Sequence, residues 1–317
     1  MNNIKLCSGF GQFHSDEPTA KVRKPYKPIT LDEIVAMFKE PPSVHKSEGR
    51  WVIPSTLLSR NFSAQETDGE FWALWADFDV NPKPISVVSQ LVEGIIGDSD
   101  ALYGSSRSAT EECPKSHAFI PLGAPLSGSD YVLVQECLND ALAAIGLVPD
   151  RASDRPGQLC YLPNRGAYYD CYWVLDGKRF DPLTAFADQM AAKRAAIAAE
   201  VAEVELRRQA AEANRLQFRA SGSTSAVEAF NACHTVDEVL LKAGYQQRGS
   251  HFRHPHSESG SYSTSVKNGR AYALSANDPL YSTAGAHDAF SAWAVLCFGG
   301  DQTAAAKVVY EMLKGAA

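Results

Sequence analysis

Two aspartates stand on alternate positions at the end of an otherwise apolar segment, "FWALWADFDV" (71–80). In a β-strand, residues two apart project from the same face, so Asp77 and Asp79 would lie side by side. Adjacent carboxylates repel one another unless a cation lies between them. Such oxygen-rich sites suit Mg²⁺ or Mn²⁺, which hold phosphate oxygens in phosphoryl and nucleotidyl transfer. The alternative is that the strand ends after Trp75 and that "DFDVNPKP" forms a polar loop.

Two later segments bring further polar residues to the ends of predicted strands. The first, "YGSSRSATEECPKSHAFIPL" (103–122), places His117 where a strand begins, and the second, "GLVPDRASDRPGQLCYLPNR" (146–165), places Asp150 between a helix and a strand. An acidic pair, a serine and histidine segment and a single aspartate in this order resemble the archaeo-eukaryotic primase superfamily. The similarity is greatest to the versions carried by phages, plasmids and other mobile elements, and it covers about residues 55–180.

The resemblance implies a role for each matching residue. Asp77, Asp79 and Asp150 would be the catalytic carboxylates that hold two divalent ions, Mg²⁺ or Mn²⁺, and Asp154 is an alternative to Asp150. His117 would contact the phosphates of the incoming nucleotide, with Ser116 or Ser106 and Arg107 as further phosphate ligands. Pro114 and Lys115 depart from the family pattern before the histidine, which leaves the phosphate contacts open. Weaker candidates for contacts in the active site or with template phosphates are Arg60, Arg155 and Arg165.

The activity implied is the synthesis of primers, with their extension as a further option, on single-stranded DNA from nucleoside triphosphates during replication of a mobile element. A replicative helicase or polymerase would be a separate partner, because the chain has no "GxxxxGK[ST]" motif. The alternative function is a noncatalytic replication initiator or adaptor that uses the same fold to bind DNA or a helicase. A nuclease with the same acidic cluster fits the histidine and the later aspartate less well. The preference for ribo- or deoxynucleotides does not follow from the sequence.

The elements that must position these residues alternate between strand and helix patterns. Density of apolar and β-branched residues predicts strands at 70–80, 101–106, 117–122, 157–163 and 171–180, and helical spacing predicts helices at 31–40, 84–97 and 129–146. Residues 1 to about 28 show no period and predict an irregular arm. The sum is an α+β catalytic domain over 1–184, in which helices flank one central mixed or antiparallel sheet.

Two more regions follow this domain. Residues 185–220 are rich in Ala, Glu and Arg and lack Gly and Pro, which predicts a long connecting helix, with a coiled coil as the alternative. Residues 221–317 predict a small α+β accessory domain, with helices at 225–244, 287–298 and 302–313 and strands between the first two. This part faintly resembles a segment that follows primase-like domains in mobile-element replication proteins. The resemblance implies a template-binding or priming-assisting role, and partner docking is the alternative.

Composition limits the remaining classes of protein. No window is apolar enough for a membrane span and the N-terminus lacks a signal-peptide pattern, so we expect a cytoplasmic protein without a membrane partner. Seven scattered cysteines without a CxxC pair argue against a disulfide framework or a zinc ribbon, and His251, His254 and His256 predict surface histidines more than a zinc site. A net charge of −7 argues against nonspecific coating of nucleic acid but leaves room for a local basic groove. The richest basic run, "KVRKPYK" (21–27), predicts a solvated arm or a phosphate contact.

Overall fold

The computed structural model describes residues 4–11, 25–221, 225–257, 260–282 and 285–314. Most of the "KVRKPYK" run lies outside these residues. The chain divides into two compact units, Met1–Ala191 and Ala192–Ala317. In the described ranges, none of the helices is long and apolar enough to cross a membrane.

In the residues that the structure describes, the first unit contains two antiparallel sheets of four strands each. Its strands are β1 (Lys5–Phe10), β2 (Ile29–Thr30), β3 (Arg50–Ile53), β4 (Glu70–Phe78), β5 (Ala101–Ser105), β6 (Ser116–Ser127), β7 (Cys160–Tyr161) and β8 (Cys171–Val174). One sheet has the order β2-β1-β3-β7 and the other the order β4-β6-β5-β8. Its helices are α1 (Leu31–Lys39), α2 (Phe62–Asp68), α3 (Ile85–Ile96), α4 (Gly128–Ala144) and α5 (Pro182–Ala185).

The α+β class is confirmed, whereas the single sheet is wrong and the irregular arm is wrong at residues 5–10; residues 12–24 of the predicted arm lie outside the described residues. Residues 5–10 of the predicted arm form β1, which pairs with β2 and β3 and buries Leu6 and Cys7. The predicted strand at 157–163 is reduced to β7, which pairs with β3 in the sheet that lacks the acidic segment. Gly157 packs against the carbonyl oxygen of Arg60, and Pro163 cannot donate a ladder hydrogen bond, so both ends of that segment leave the strand.

Strand β4 carries Asp77, ends one residue before Asp79 and lies at the edge of its sheet. Its unpaired edge is covered by polar groups of the first unit. The Gln135 side chain on α4 donates to the carbonyl oxygen of Trp75 at 2.8 Å and accepts from its N–H at 3.3 Å. The backbone N–H of Asp150 donates to the carbonyl oxygen of Asp77 at 2.8 Å. Because these bonds satisfy backbone groups that would otherwise be buried and unpaired, they hold the end of β4 in a defined position.

The second unit contains helices and one antiparallel sheet. Helix α6 (Ala187–Ser221) leads into it, and it continues with α7 (Ala226–Cys233), α8 (Val236–Lys242), β9 (Gln246–Arg248), β10 (His251–Arg253), β11 (Thr264–Lys267), β12 (Arg270–Ala273), α9 (Ala289–Phe298) and α10 (Gln302–Lys314). The prediction of one helix at 225–244 is wrong, because Thr235 and Glu238 form a capping box that begins α8 after a break. The prediction of a long helix at 185–220 is confirmed by α6, whose apolar residues Ile197, Val201 and Leu206 are exposed.

Candidate active site

A polar cavity opens where β4 ends and β6 begins in the first unit. The cavity has a volume of about 120 Å³. Its lining combines two carboxylates, a histidine, a lysine, an arginine and small polar residues: Lys46, Gly49, Asp77, Asp79, Ser106, Arg107, Ser108, His117, Tyr161, Leu162 and Asn164.

Asp77 and His117 face each other across the ladder at the centre of this cavity. They are paired residues of the antiparallel strands β4 and β6, so the register of the sheet brings their side chains together. Asp77 Oδ1 lies 3.3 Å from His117 Nε2, and the side chains are only 23% and 9% exposed. Asp77 Oδ1 and His117 Nδ1 are both buried, and neither has a hydrogen-bond partner.

The two groups change each other's ionisation. Burial by itself would lower the pKa of His117, but the adjacent Asp77 carboxylate raises it above its ordinary value. Burial by itself would raise the pKa of Asp77, but His117, Lys115 and Lys46 hold it below its ordinary value. Around neutral pH the carboxylate is therefore ionised, and the histidine holds its proton more strongly than a free imidazole.

Asp79 follows β4 and reaches the same cavity from a more exposed position. The strand ends at Phe78, and Asp79 stands just beyond it with a side chain that is 45% exposed. Its Oδ2 atom lies 3.3 Å from the Nζ atom of Lys115, which precedes β6. Lys115 thus balances the charge of Asp79 at the mouth of the cavity.

Arg107 lies in the loop between β5 and β6 and is fixed by the turn after β7. Its Nη1 atom donates to the carbonyl oxygen of Arg165 at 2.8 Å and to Asn164 Oδ1 at 3.3 Å. The N–H of Ser106 donates to the carbonyl oxygen of Lys115 at 2.9 Å and closes this loop at its base. The Ser106 hydroxyl lies 3.3 Å from that of Ser108, so that two hydroxyls stand beside the guanidinium group.

Lys46 and Asn164 line the cavity, although no sequence pattern groups them with the acidic pair. Lys46 begins a short 3-10 turn, Lys46–Glu48, in the segment before β3. The Asn164 side chain is buried, accepts from the N–H of Val44 at 3.0 Å and donates to the carbonyl oxygen of Val44 at 2.9 Å. The "PNR" turn was the one available signal for Asn164, and Lys46 had none, because its position depends on pairing in the other sheet.

The structure does not bring three of the predicted residues into the cavity lining. Ser116 is fully buried and precedes His117 on β6, so it projects from the opposite face of the sheet. Asp150 lies beside β4, but its carboxylate accepts from the N–H of Ala152 at 2.8 Å and caps the 3-10 turn Arg151–Asp154. Asp154 bonds to Asn139 at 2.7 Å and to Arg151 at 2.7 Å, which commits its carboxylate to a structural network.

The three weaker arginine candidates also lie outside the cavity lining. The Arg60 guanidinium lies 5.7 Å from the centre of the Trp51 ring, and that of Arg165 lies 5.7 Å from the centre of the Tyr169 ring. Arg155 is exposed and ends the 3-10 turn after Asp150. Of the three, Arg165 contributes to the site through its carbonyl oxygen, which accepts from Arg107.

The lining fits one divalent cation better than the predicted arrangement of two ions and three carboxylates. Asp77 and Asp79 line one cavity, and a buried oxygen of Asp77 has no hydrogen bond. Across the described ranges, no three His, Cys, Asp or Glu side chains lie together in a way that could hold a metal ion. Mg²⁺ and Mn²⁺ are often held by one or two carboxylates together with substrate phosphates and water, so the two aspartates satisfy the protein's share of such a site.

Comparisons with known proteins give little to set beside this geometry. No protein-family model matches the chain, and no curated protein matches it. Among solved structures, the chain is similar to the AEP domain (PP-N190) of the cyanophage S-2L primase-polymerase (PrimPol), with 12% identity and a TM-score of 0.36 over 58% of this chain and 88% of that one. Similarity at this level assigns no function, which therefore rests on the site itself.

Proposed function

We propose that the chain is a metal-dependent nucleotidyl transferase that makes primers on single-stranded DNA, as the order of its motifs implied. The supporting observation is the cavity itself. It combines the paired aspartates Asp77 and Asp79 with His117, Arg107 and Lys46, which is a lining suited to a cation and a polyphosphate together.

The cationic side chains of the lining would bind the phosphates. His117, whose pKa the adjacent Asp77 raises, would donate an N–H to a phosphate oxygen. Arg107 is fixed in place by Asn164 and by the Arg165 carbonyl group, so it can bind phosphate with little further loss of side-chain freedom. Lys46 would add a point charge from the same lining.

The carboxylates would hold the metal and orient the reacting groups. Asp77 and Asp79 are the residues that would ligate it, because they line the same cavity as His117, Arg107 and Lys46. When bound, a divalent ion supplies acidification of a primer 3'-hydroxyl and neutralisation of charge on the departing pyrophosphate. Asp150 would act through its backbone, because its N–H fixes the carbonyl oxygen of Asp77 and with it the end of β4.

The test is primer synthesis by the full chain on single-stranded templates with labelled nucleotides and Mg²⁺ or Mn²⁺. Asp77→Asn with Asp79→Asn should abolish products and Mn²⁺ binding, which electron paramagnetic resonance measures without any reaction. Asp98→Asn with Asp176→Asn is the charge-matched control, because both residues are exposed and lie outside the cavity lining. Wild-type protein that binds Mn²⁺ but makes no product over many templates would contradict the proposal.

The same experiment separates the noncatalytic alternative. If the chain is an initiator or adaptor, the wild type and the double aspartate variant should bind DNA equally well, and neither should incorporate nucleotide. A separate helicase or polymerase partner, a mobile-element origin and a cytoplasmic location remain part of the proposal.

A further inference from the structure

One face of the sheet in the second unit carries a row of basic and aromatic side chains. Along its strands, Phe252, Thr264, Val266 and Ala271 are buried against the helices of the unit. Because side chains alternate between the two faces of a strand, their neighbours project to the other side. That side, called the basic sheet face below, carries Arg248, His251, Arg253, Lys267, Arg270 and Tyr272.

The charge of this face is opposite to that of the whole chain. Four of its residues are Lys or Arg, and the strands Gln246–Arg248, His251–Arg253, Thr264–Lys267 and Arg270–Ala273 contain neither Asp nor Glu, although the chain has a net charge of −7. Glu200 approaches the border of the face, where it accepts from the Ser250 hydroxyl at 3.1 Å in the turn between β9 and β10. The local field of the face is therefore positive and attracts an anionic partner.

The register arranges these side chains in a row across all four strands. Arg248 pairs with His251, His251 pairs with Ser265, and Ser265 pairs with Tyr272. Neighbouring strands are about 4.8 Å apart, so the row spans roughly 15 Å. Lys267 and Arg270 form the adjacent row at one end of the hairpin. Cations thus stand within reach of several consecutive phosphates along an extended strand.

The aromatic residue of the face is placed for stacking. Tyr272 is 41% exposed and projects from this face of β12. Basic side chains interleaved with an exposed ring are the combination with which proteins bind single strands, because bases of a single strand offer their faces to aromatic rings. The bases of a duplex are stacked on one another and do not offer their faces to such a ring.

We propose that the basic sheet face binds single-stranded nucleic acid, with Lys267 and Arg270 on phosphates and Tyr272 stacked on a base. This deepens the proposed function, since a primer-making enzyme must hold its template. Binding needs neither nucleotide nor Asp77, however, so the two proposals can fail separately.

The experiment measures binding of labelled oligo(dT), the matching single-stranded RNA and a duplex of equal length to the full chain by fluorescence anisotropy over a range of salt concentrations. Wild type should bind the single strands and bind the duplex more weakly. Lys267→Gln with Arg270→Gln should weaken binding and reduce the slope of log K against log salt by about 1.4, because each phosphate contact on a single strand contributes about 0.7. Tyr272→Ala should weaken binding by about 5- to 160-fold and Tyr272→Phe should restore it, since the ring makes the contact.

Lys242→Gln with Lys307→Gln is the matched control, because it removes the same charge from helices of the second unit. It should leave affinity and salt slope unchanged. Equal binding of duplex and single strand, a wild type that binds no oligonucleotide, or wild-type affinity in Tyr272→Ala would each overturn the proposal. If the basic sheet face instead bound an acidic protein, binding would depend on salt but would not require the Tyr272 ring, and that result would also overturn the proposal.

Discussion

Replacement of Asn164 by alanine should loosen the segments that bring Lys46 and Arg107 to the cavity. The side chain accepts from the N–H of Val44 at 3.0 Å, donates to the Val44 carbonyl oxygen at 2.9 Å and accepts from Arg107 at 3.3 Å. It thereby ties the segment that carries Lys46 to the loop that carries Arg107. None of these bonds can form with a methyl group.

The size of the effect follows from the kind of bond. A neutral hydrogen bond contributes about 0.5–1.5 kcal/mol and a bond to a charged group about 1.5–3 kcal/mol. Val44 is half-buried, so water recovers part of the loss, and we expect Asn164→Ala to cost about 2–4 kcal/mol. For a unit of this size, each kcal/mol corresponds to about 2–4 °C in Tm, which gives a decrease of roughly 4–16 °C.

The assay combines thermal unfolding with nucleotide affinity measured by calorimetry. Asn164→Asp keeps an acceptor for Val44 and Arg107 and loses the amide donor, so it should retain more stability and more nucleotide affinity than Asn164→Ala. In primer synthesis, Asn164→Ala should raise the nucleotide KM more than it lowers kcat, because Arg107 and Lys46 bind phosphate. Gln90→Ala, which removes an exposed amide on α3, is the control. Wild-type Tm and nucleotide affinity in Asn164→Ala would refute this account of the cavity walls.

Two further predictions concern the same unit. The stability lost in His117→Asn should be largest between about pH 4 and pH 6.5 and should shrink at higher pH, as measured by urea unfolding. Because the adjacent Asp77 raises the pKa of His117, the contribution of His117 to stability disappears as the pH rises through that raised pKa. Because the pKa of Asp77 is lowered, the contribution of Asp77 to stability persists to more acidic pH. A loss of stability that grows with pH would contradict this reasoning. Gly166→Ala should lower Tm and nucleotide affinity, because its Cβ atom would lie 2.3 Å from the Arg107 carbonyl oxygen. Gly94→Ala, in helix α3 with no neighbour within 4 Å, should instead stabilise the chain by up to about 1 kcal/mol, and equal effects of the two changes would contradict the reasoning.

The central pair of the cavity could be predicted because it depends on local pattern and one strand pairing. Apolar density indicated β4 and β6, and alternation indicated that Asp77 and Asp79 share a side. The structure places both in one cavity and pairs Asp77 with His117 in the ladder. A strand pattern specifies which face a side chain takes, and that is sufficient for residues that project directly from adjacent strands.

The other walls could not be predicted because they depend on the second sheet of the same unit. Lys46 and Asn164 belong to segments around β3 and β7, which pair with each other in a sheet that apolar density did not reveal. Strand β1 is short and contains glycine, and β7 has two residues, so neither shows a strand period. Asp150 was predicted as a third metal-binding carboxylate; its backbone N–H bonds to Asp77 in β4, but the direction of its carboxylate is decided by the turn that it caps.

Net charge is the sequence property that most obscures the chemistry of this chain. The total of −7 is an average over a chain in which charges are segregated. Three side chains that can carry positive charge line the cavity against two carboxylates, and the basic sheet face carries four Lys or Arg with no acid in its strands. Acidic residues elsewhere reduce the long-range attraction to duplex DNA, while fields at short range remain positive where phosphates would bind. An acidic protein can therefore select anionic ligands at defined places, and the salt dependence of binding, which counts local contacts, is a better measure of that selection than the isoelectric point.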